Sequence, residues 1–293
     1  MSHAGIQPPC PAGTAEDRRH AKARPLIIET MGIHHASRAG PRHALRAWTE
    51  IERRLKGPGA KAVFLDFDGT LARLRRRPWE VRCPARVKRL LTRLARQPNL
   101  RLCVISGRRA QNLRELIGVA GIHYLGAYGA EFGSTPPVLG ERTRRALAKA
   151  KRDLTAQTAS LPGIWIENKG LGLAVHCRAA RSPAIRQAAE AVRRVLAAAC
   201  GVLRLIAGVK IWEIVPREFA GKGAAVRAGM DELPPGSAGV YIGDDVADET
   251  AFAVLESGIT VRVGRARKTR ARYFLHSPAE VVKFLARFEE GLE

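Results

Sequence analysis

Long apolar runs, organised cysteines and acidic charge are what this sequence has little of, and each shortage removes a class of function. No stretch approaches the roughly 18 to 20 uninterrupted apolar residues of a membrane-spanning helix, and the amino terminus lacks the apolar core of a signal peptide. A cytoplasmic protein with no membrane partner is therefore expected. The five cysteines, Cys10, Cys83, Cys103, Cys177 and Cys200, are odd in number and scattered without a CxxC spacing, which argues against a disulfide framework or a zinc site. They read as buried apolar filler. Acidic residues number 27 against 50 Lys and Arg, a net charge of +23, and such a surface attracts polyanions and small anionic substrates. The basic residues are dispersed, as in 73–77 and 265–272, with no aromatic interleaving and no nucleic-acid motif. No specific nucleic-acid partner is expected.

What is present is an alternation of strand and helix patterns. Residues 1–40 are rich in Pro, Gly, Ala, His and Arg without periodicity, which predicts a disordered extension, with Met31 as a second candidate start. Leu45, Trp48, Ile51 and Leu55 then follow helical spacing, giving a short lead-in helix from Pro41, so that 1–55 forms the extension. Continuous apolar runs at 62–65, 102–105, 124–125, 240–242 and 259–263, separated by helical patterns such as 85–96 and 110–118, predict an α/β fold with a doubly wound parallel sheet. Its site should lie beyond the carboxyl ends of the strands.

Residues 135–215 interrupt this rhythm. A helix around 141–158 precedes a hairpin of 164–167 and 171–177 joined at Asn168, Lys169 and Gly170. Ser182 and Pro183 make an N-cap and first-turn pair for a helix ended by Gly201, and a second hairpin, 202–206 and 209–215, turns at Ala207 and Gly208. The expectation is an α+β cap at 135–215 inserted into a core of 56–134 and 216–293.

Four segments carry chemistry, each at a strand end or a helix start. Asp66 and Asp68 follow the 62–65 strand directly, and two carboxylates so placed repel unless a cation joins them, which suits Mg²⁺. Asp66 is then the candidate nucleophile, and Asp68 the group that protonates the leaving oxygen and later activates water. Ser106 and Gly107 end the next strand, where a hydroxyl and backbone N–H groups can hold phosphate oxygens. Lys222, between Gly221 and Gly223, opens a helix and can neutralise phosphate charge. Asp244, Asp245, Asp248 and Glu249 follow a third strand and supply further metal ligands.

These segments, DFDGT at 66–70 less its preceding strand, the Ser106 segment, Lys222 and GDDVAD at 243–248, resemble the four motifs of the haloacid dehalogenase phosphatase superfamily. The resemblance implies an aspartyl-phosphate on Asp66, with Asp66, the Asp68 carbonyl and Asp244 holding Mg²⁺ and Asp248 behind them or as an added ligand. Between 62 and 288 the chain is most similar to the trehalose-6-phosphate phosphatase family, through SGR at 106–108, YGAEF at 128–132, ENKGLGLAVHCR at 167–178, KIWEIVPREFAGKG at 210–223 and GDDVADETAF at 243–252. That likeness implies a small sugar phosphate as substrate, with Arg108, Glu131, Glu167, Lys169 and Glu213 as its contacts. Carboxylates and an ammonium on cap hairpins are suitable partners for a polyol. Two positions depart from the family: Tyr128 stands where His is usual and Ala247 where Thr is usual. Tyr128 keeps open a phosphatase for another sugar phosphate, of the sucrose phosphate or glycosyl-phosphoglycerate type. A third alternative is a basic nucleic-acid-binding or scaffold protein on the same fold. His176, on an apolar strand, is expected to pack and not to ligate.

Overall fold

The computed structural model describes residues 40–57, 59–132, 137–208, 210–265 and 268–292. The predicted extension at 1–39 lies outside them. All five apolar runs form parallel strands, and their alternation explains why they are continuously apolar. In β2 (Lys61–Leu65), Val63 and Leu65 join one apolar cluster while Ala62 and Phe64 join another on the opposite face. A strand buried on both faces has no polar side to alternate with. Adding β1 (Arg42–His43), β3 (Leu100–Ile105), β4 (His123–Leu125), β9 (Ala238–Gly243), β10 (Ile259–Val263) and β11 (Tyr273–Leu275) gives a seven-stranded sheet of order β1-β11-β10-β9-β2-β3-β4. Every pairing in it is parallel. Helices α1 (Trp48–Leu55), α2 (Ala85–Leu94), α3 (Ala110–Ile117) and α8 (Pro278–Glu290) cover one face, and α6 (Lys222–Asp231) and α7 (Glu249–Val254) the other. From β2 the chain winds outward through β3 and β4 on one side and through β9, β10 and β11 on the other. The carboxyl ends of β2 and β9 therefore flank the switch point where ligands bind in such sheets.

The lead-in segment differs in part from its expectation. The helix begins at Trp48 and not at Pro41, because Arg42–His43 adds a short edge strand to β11 through Arg42 N–H to Arg272 O (3.1 Å) and Ala44 N–H to Phe274 O (2.9 Å). Trp48, Ile51 and Leu55 are buried against the sheet, Trp48 meeting the Phe284 ring edge-on at 5.3 Å with the Arg287 guanidinium 4.9 Å from its centroid. Full burial of an aliphatic side chain such as Ile51 stabilises by about 1.5–3 kcal/mol. Residues 40–55 thus pack on the core sheet.

A second, antiparallel sheet is formed by β5 (Trp165–Asn168), β6 (Leu173–His176), β7 (Leu203–Gly208) and β8 (Ile211–Pro216), in the order β5-β6-β8-β7. Helices α4 (Glu141–Thr158) and α5 (Ser182–Ala198) cover one face through Leu147, Leu154, Val192 and Val195 packed on Leu173, Val175 and Ile214. Two local expectations need correction. The second hairpin does not turn at Ala207 and Gly208: the ladder continues to Gly208 opposite Ile211, and the turn lies beyond it, with Lys210 at φ 58°. Ser182 is the first helical residue and not the cap, since Arg181 occupies the N-cap without a side-chain bond. Among the described residues no helix is long and apolar enough to cross a membrane. Cys83, Cys103 and Cys177 are buried, which pushes their thiols up to about 11, 12 and 12, while Cys200 is exposed and departs from the filler expectation.

Candidate active site

Three neighbouring strands of the large sheet deliver the acidic and hydroxyl groups to one edge. Asp66 follows β2, Ser106 follows β3 and Asp244 follows β9, and the Asp66 N–H donates to Ile242 O at 2.9 Å so that the first and third ends stay in step. Lys222 opens α6 and reaches between them. Its ammonium donates to Asp66 Oδ1 at 2.6 Å and to Asp248 Oδ1 at 2.7 Å, and all three side chains are almost fully buried. Asp248 is further held by the Tyr241 hydroxyl at 2.7 Å and the Asp245 N–H at 2.8 Å, so both its oxygens are engaged. Gly69, at φ 93°, leaves room for the Asp244 carboxylate, which a Cβ there would strike. The Thr70 hydroxyl donates to that carboxylate at 3.4 Å.

Charge balance in this cluster is incomplete. Asp66, Asp244 and Asp248 offer oxygens within 4.8 Å of one another, against one ammonium. Burial, with the charges of Asp248 and Asp68 adding to it against Lys222, pushes Asp66 up to about 7. Burial and the neighbouring charges of Asp66, Asp248 and Asp245 push Asp244 up to about 9. Burial opposes the Lys222 ammonium, yet Asp248 and Asp66 outweigh it and hold Lys222 well above the ordinary lysine range. A donor set made only of oxygens, with charge left over, fits a hard divalent cation such as Mg²⁺. Asp66 and Asp244 suit direct ligation, and the fully engaged Asp248 suits a supporting place.

The remaining predicted residues divide. Ser106 is buried at the end of β3, and its Oγ accepts the Arg108 N–H at 3.2 Å. Arg108 holds both oxygens of Asp68, Nε to Oδ2 at 2.6 Å and Nη2 to Oδ1 at 2.8 Å, and also donates to Asn112 Oδ1 and Pro78 O. Glu167 and Glu213 stand in one row with Ala174 across β5, β6 and β8, so they share a sheet face. Lys169, from the β5–β6 turn, donates to Glu213 Oε1 at 2.7 Å and to Gly107 O at 3.4 Å. Ser106, Arg108, Glu167, Lys169 and Glu213 line one cavity of about 340 Å³ together with Asp66, Asp68, Lys222 and Asp244, within the range of small-molecule sites. Glu131 is not brought to that cavity. Its carboxylate accepts the Ala110 N–H at 2.6 Å and Arg109 Nε at 2.7 Å, capping the start of α3.

Six participants escaped the sequence pattern in whole or in part. His176 packs as expected, stacked on Trp165 at 3.7 Å, but its Nε2 also lies 2.8 Å from Glu167 Oε2. Burial works against the charge on Glu167, and the His176 hydrogen bond with the Lys169, His176 and Arg108 charges outweighs it, holding this carboxyl below its ordinary range. Tyr241 read only as an apolar strand residue. Arg75, Arg76, Arg178 and Lys210 bring part of the +23 charge to the cavity wall, where it favours an anionic substrate.

The arrangement can hold a phosphate dianion beside Ser106 and Lys222 with a carboxylate next to it. The family model described as trehalose-phosphatase matches residues 64–279. A trehalose-phosphate phosphatase of Mycobacterium avium (strain 104) is 34% identical over 250 residues, covering 79% of this chain and 63% of that protein. One of Mycobacterium marinum is 32% identical over 245 residues, covering 79% and 62%. The chain thus spans less than two thirds of the length of these relatives. Among solved structures, the C-terminal domain of C. albicans trehalose-6-phosphate phosphatase superposes with a TM-score of 0.73 at 22% identity, covering 87% of this chain and 99% of that one, a likeness of fold. With its motifs at the strand ends and its matched region running through both sheets, the chain belongs to the trehalose-phosphatase family.

Proposed function

We propose that the protein is a Mg²⁺-dependent phosphatase that converts trehalose 6-phosphate to trehalose and phosphate through an aspartyl-phosphate on Asp66, with 135–215 acting as the cap. The observation that carries this is Lys222, buried and bonded at once to Asp66 and Asp248 beside Asp244. Three carboxylates, two of them buried, gathered around one ammonium are costly unless they have a task. Asp66, the Asp68 carbonyl and Asp244 would hold the cation, which would supply charge neutralisation for the incoming phosphate. Ser106 and Lys222 orient the phosphoryl oxygens, and an Asp66 oxygen attacks phosphorus. The bond from phosphorus to the sugar oxygen breaks while Asp68 gives that oxygen its proton. The Asp68 carboxylate then takes a proton from water, water attacks phosphorus, and phosphate leaves Asp66 free. Asp68 must first leave its two-pronged pairing with Arg108, and the incoming dianion competes for that guanidinium.

Substrate choice falls to the face of the small sheet that looks into the cavity. Glu167, Lys169 and Glu213 offer charged partners for sugar hydroxyls above the phosphoryl site. The test is phosphate release with Mg²⁺ from trehalose 6-phosphate, sucrose 6-phosphate, a glycosyl-phosphoglycerate and p-nitrophenyl phosphate. Preference for trehalose 6-phosphate is expected. Preference for another sugar phosphate would move the substrate and keep the chemistry, and release from none would remove both.

A further inference from the structure

Tyr128 stands where the two sheets meet, and its surroundings give it more than a packing role. Its phenol and the Glu213 carboxylate line the same cavity, and burial together with the Glu213 charge holds the phenol well above its ordinary range, so it remains a donor toward that carboxylate. Glu213 in turn takes Lys169, and Lys169 reaches back to Gly107 O. Gly107 closes the circuit, because a Cβ at that position would lie 2.8 Å from Tyr128 Cζ and 2.9 Å from its hydroxyl. Two members of this ring come from the large sheet's loops and two from the small sheet.

The backbone shows that the position is imposed. Ala127 and Tyr128 have φ 47° and 60°, a left-handed conformation that is unfavourable for residues with a Cβ. Such a turn persists only where its surroundings over-determine it. Here the Ala127 N–H donates to Arg108 O at 2.7 Å and the Tyr128 N–H to Ser106 O at 2.8 Å, so the turn is tied to the phosphate-binding loop itself. Ala127 also packs with Leu171, Val215 and Phe219, joining the strained turn to the β5–β6 turn that carries Lys169 and to β8, which carries Glu213.

We infer that Tyr128 is a positioning residue, the core's half of a clasp with Glu213 and Lys169 that sets the sugar-facing carboxylate over the phosphate loop and so governs which leaving alcohol is accepted. The inference rests on the phosphatase reading. A phosphate ester too small to reach Glu213 has no use for the clasp, whereas a disaccharide phosphate meets Glu213 in the geometry that Tyr128 fixes. The hydroxyl, and not the ring, does this work, since the ring contacts Gly107 with or without it.

Tyr128→Phe keeps that ring and removes only the hydroxyl. Wild type, Tyr128→Phe, Glu213→Gln and the double variant are compared for kcat/KM on trehalose 6-phosphate and on p-nitrophenyl phosphate, and for urea unfolding without substrate. Loss of the Tyr128 hydroxyl beside the Glu213 carboxylate should lower kcat/KM of Tyr128→Phe on the disaccharide phosphate by about ten- to a hundredfold, lower it far less on the small ester, and cost the double variant no more than Glu213→Gln alone. Equal loss on both esters, no loss on either, or losses that multiply in the double variant would overturn the clasp. If the wild type does not prefer the disaccharide phosphate, the substrate assignment fails, and the unfolding cycle still decides. Coupled effects of the two substitutions on stability then support the clasp, and independent effects reject it.

Discussion

Replacing Lys222 with Met removes one charge from the most buried part of the site while keeping the length of the chain, so it isolates what the ammonium does. Lys222 is 3% exposed and holds Asp66 and Asp248 at 2.6 and 2.7 Å. Withdrawing one partner from a buried ionic group leaves uncompensated charge, at a cost of about 3–5 kcal/mol. For a domain of this size each kcal/mol shifts Tm by roughly 2–4 °C, so a fall of roughly 6–20 °C is expected for the metal-free protein. The carboxylates can recover part of this by keeping protons, which makes the loss larger at pH 8 than at pH 6. Added Mg²⁺ should restore part of the Tm but little of the phosphate release, since the phosphoryl oxygens still lack their ammonium. Thermal unfolding at both pH values, with and without Mg²⁺, is the assay. A metal-free Lys222→Met protein that melts with the wild type at pH 8 would refute the charge balance drawn for this cluster.

Three other outcomes follow from the same geometry. Asp66 and Asp244 titrate in the folded protein near 7 and 9, above their ordinary range, so the folded state keeps protons that the unfolded chain has released; metal-free stability should fall as pH rises from about 4 past 9, and the Mg²⁺ increment in Tm should grow over that window. Glu167→Ala and Glu213→Ala should each lower kcat/KM on trehalose 6-phosphate by about ten- to a hundredfold while sparing p-nitrophenyl phosphate, and equal loss on both would make these residues supports of the fold. Glu131→Gln should weaken the start of α3, seen as a lower Tm, without changing the ratio of the two activities, because its carboxylate is engaged by Arg109 and Ala110 and does not itself line the cavity.

Much of the fold was legible because the parallel strands are buried on both faces, which writes continuous apolar runs such as 62–65 and 259–263 into the chain. The short strands β1 and β11 were not, since two and three residues beside arginines carry no such signal. Gly208 misled for a physical reason. It resembles a turn residue, but it sits in the β7–β8 ladder, and a Cβ there would approach Asp245 Oδ2 at 2.6 Å, so its smallness serves close approach and not a turn. The grouping of Asp66, Ser106, Lys222 and Asp244 was readable from their places after strands or at a helix start. The partners of Arg108 and Glu131 were not, because Asp68 and Arg109 lie 40 and 22 residues away in sequence and spacing alone does not bring them together.

The covalent step proposed at Asp66 can be tested directly. Wild-type protein turning over trehalose 6-phosphate with Mg²⁺ is quenched in acid, reduced with borohydride, which converts an aspartyl-phosphate to homoserine, and digested for mass spectrometry. The expected result is homoserine at position 66, dependent on both substrate and Mg²⁺, with Asp68, Asp244 and Asp248 unchanged. Steady phosphate release with Asp66 intact, or with the label on a different residue, would contradict the assignment of Asp66 as the nucleophile.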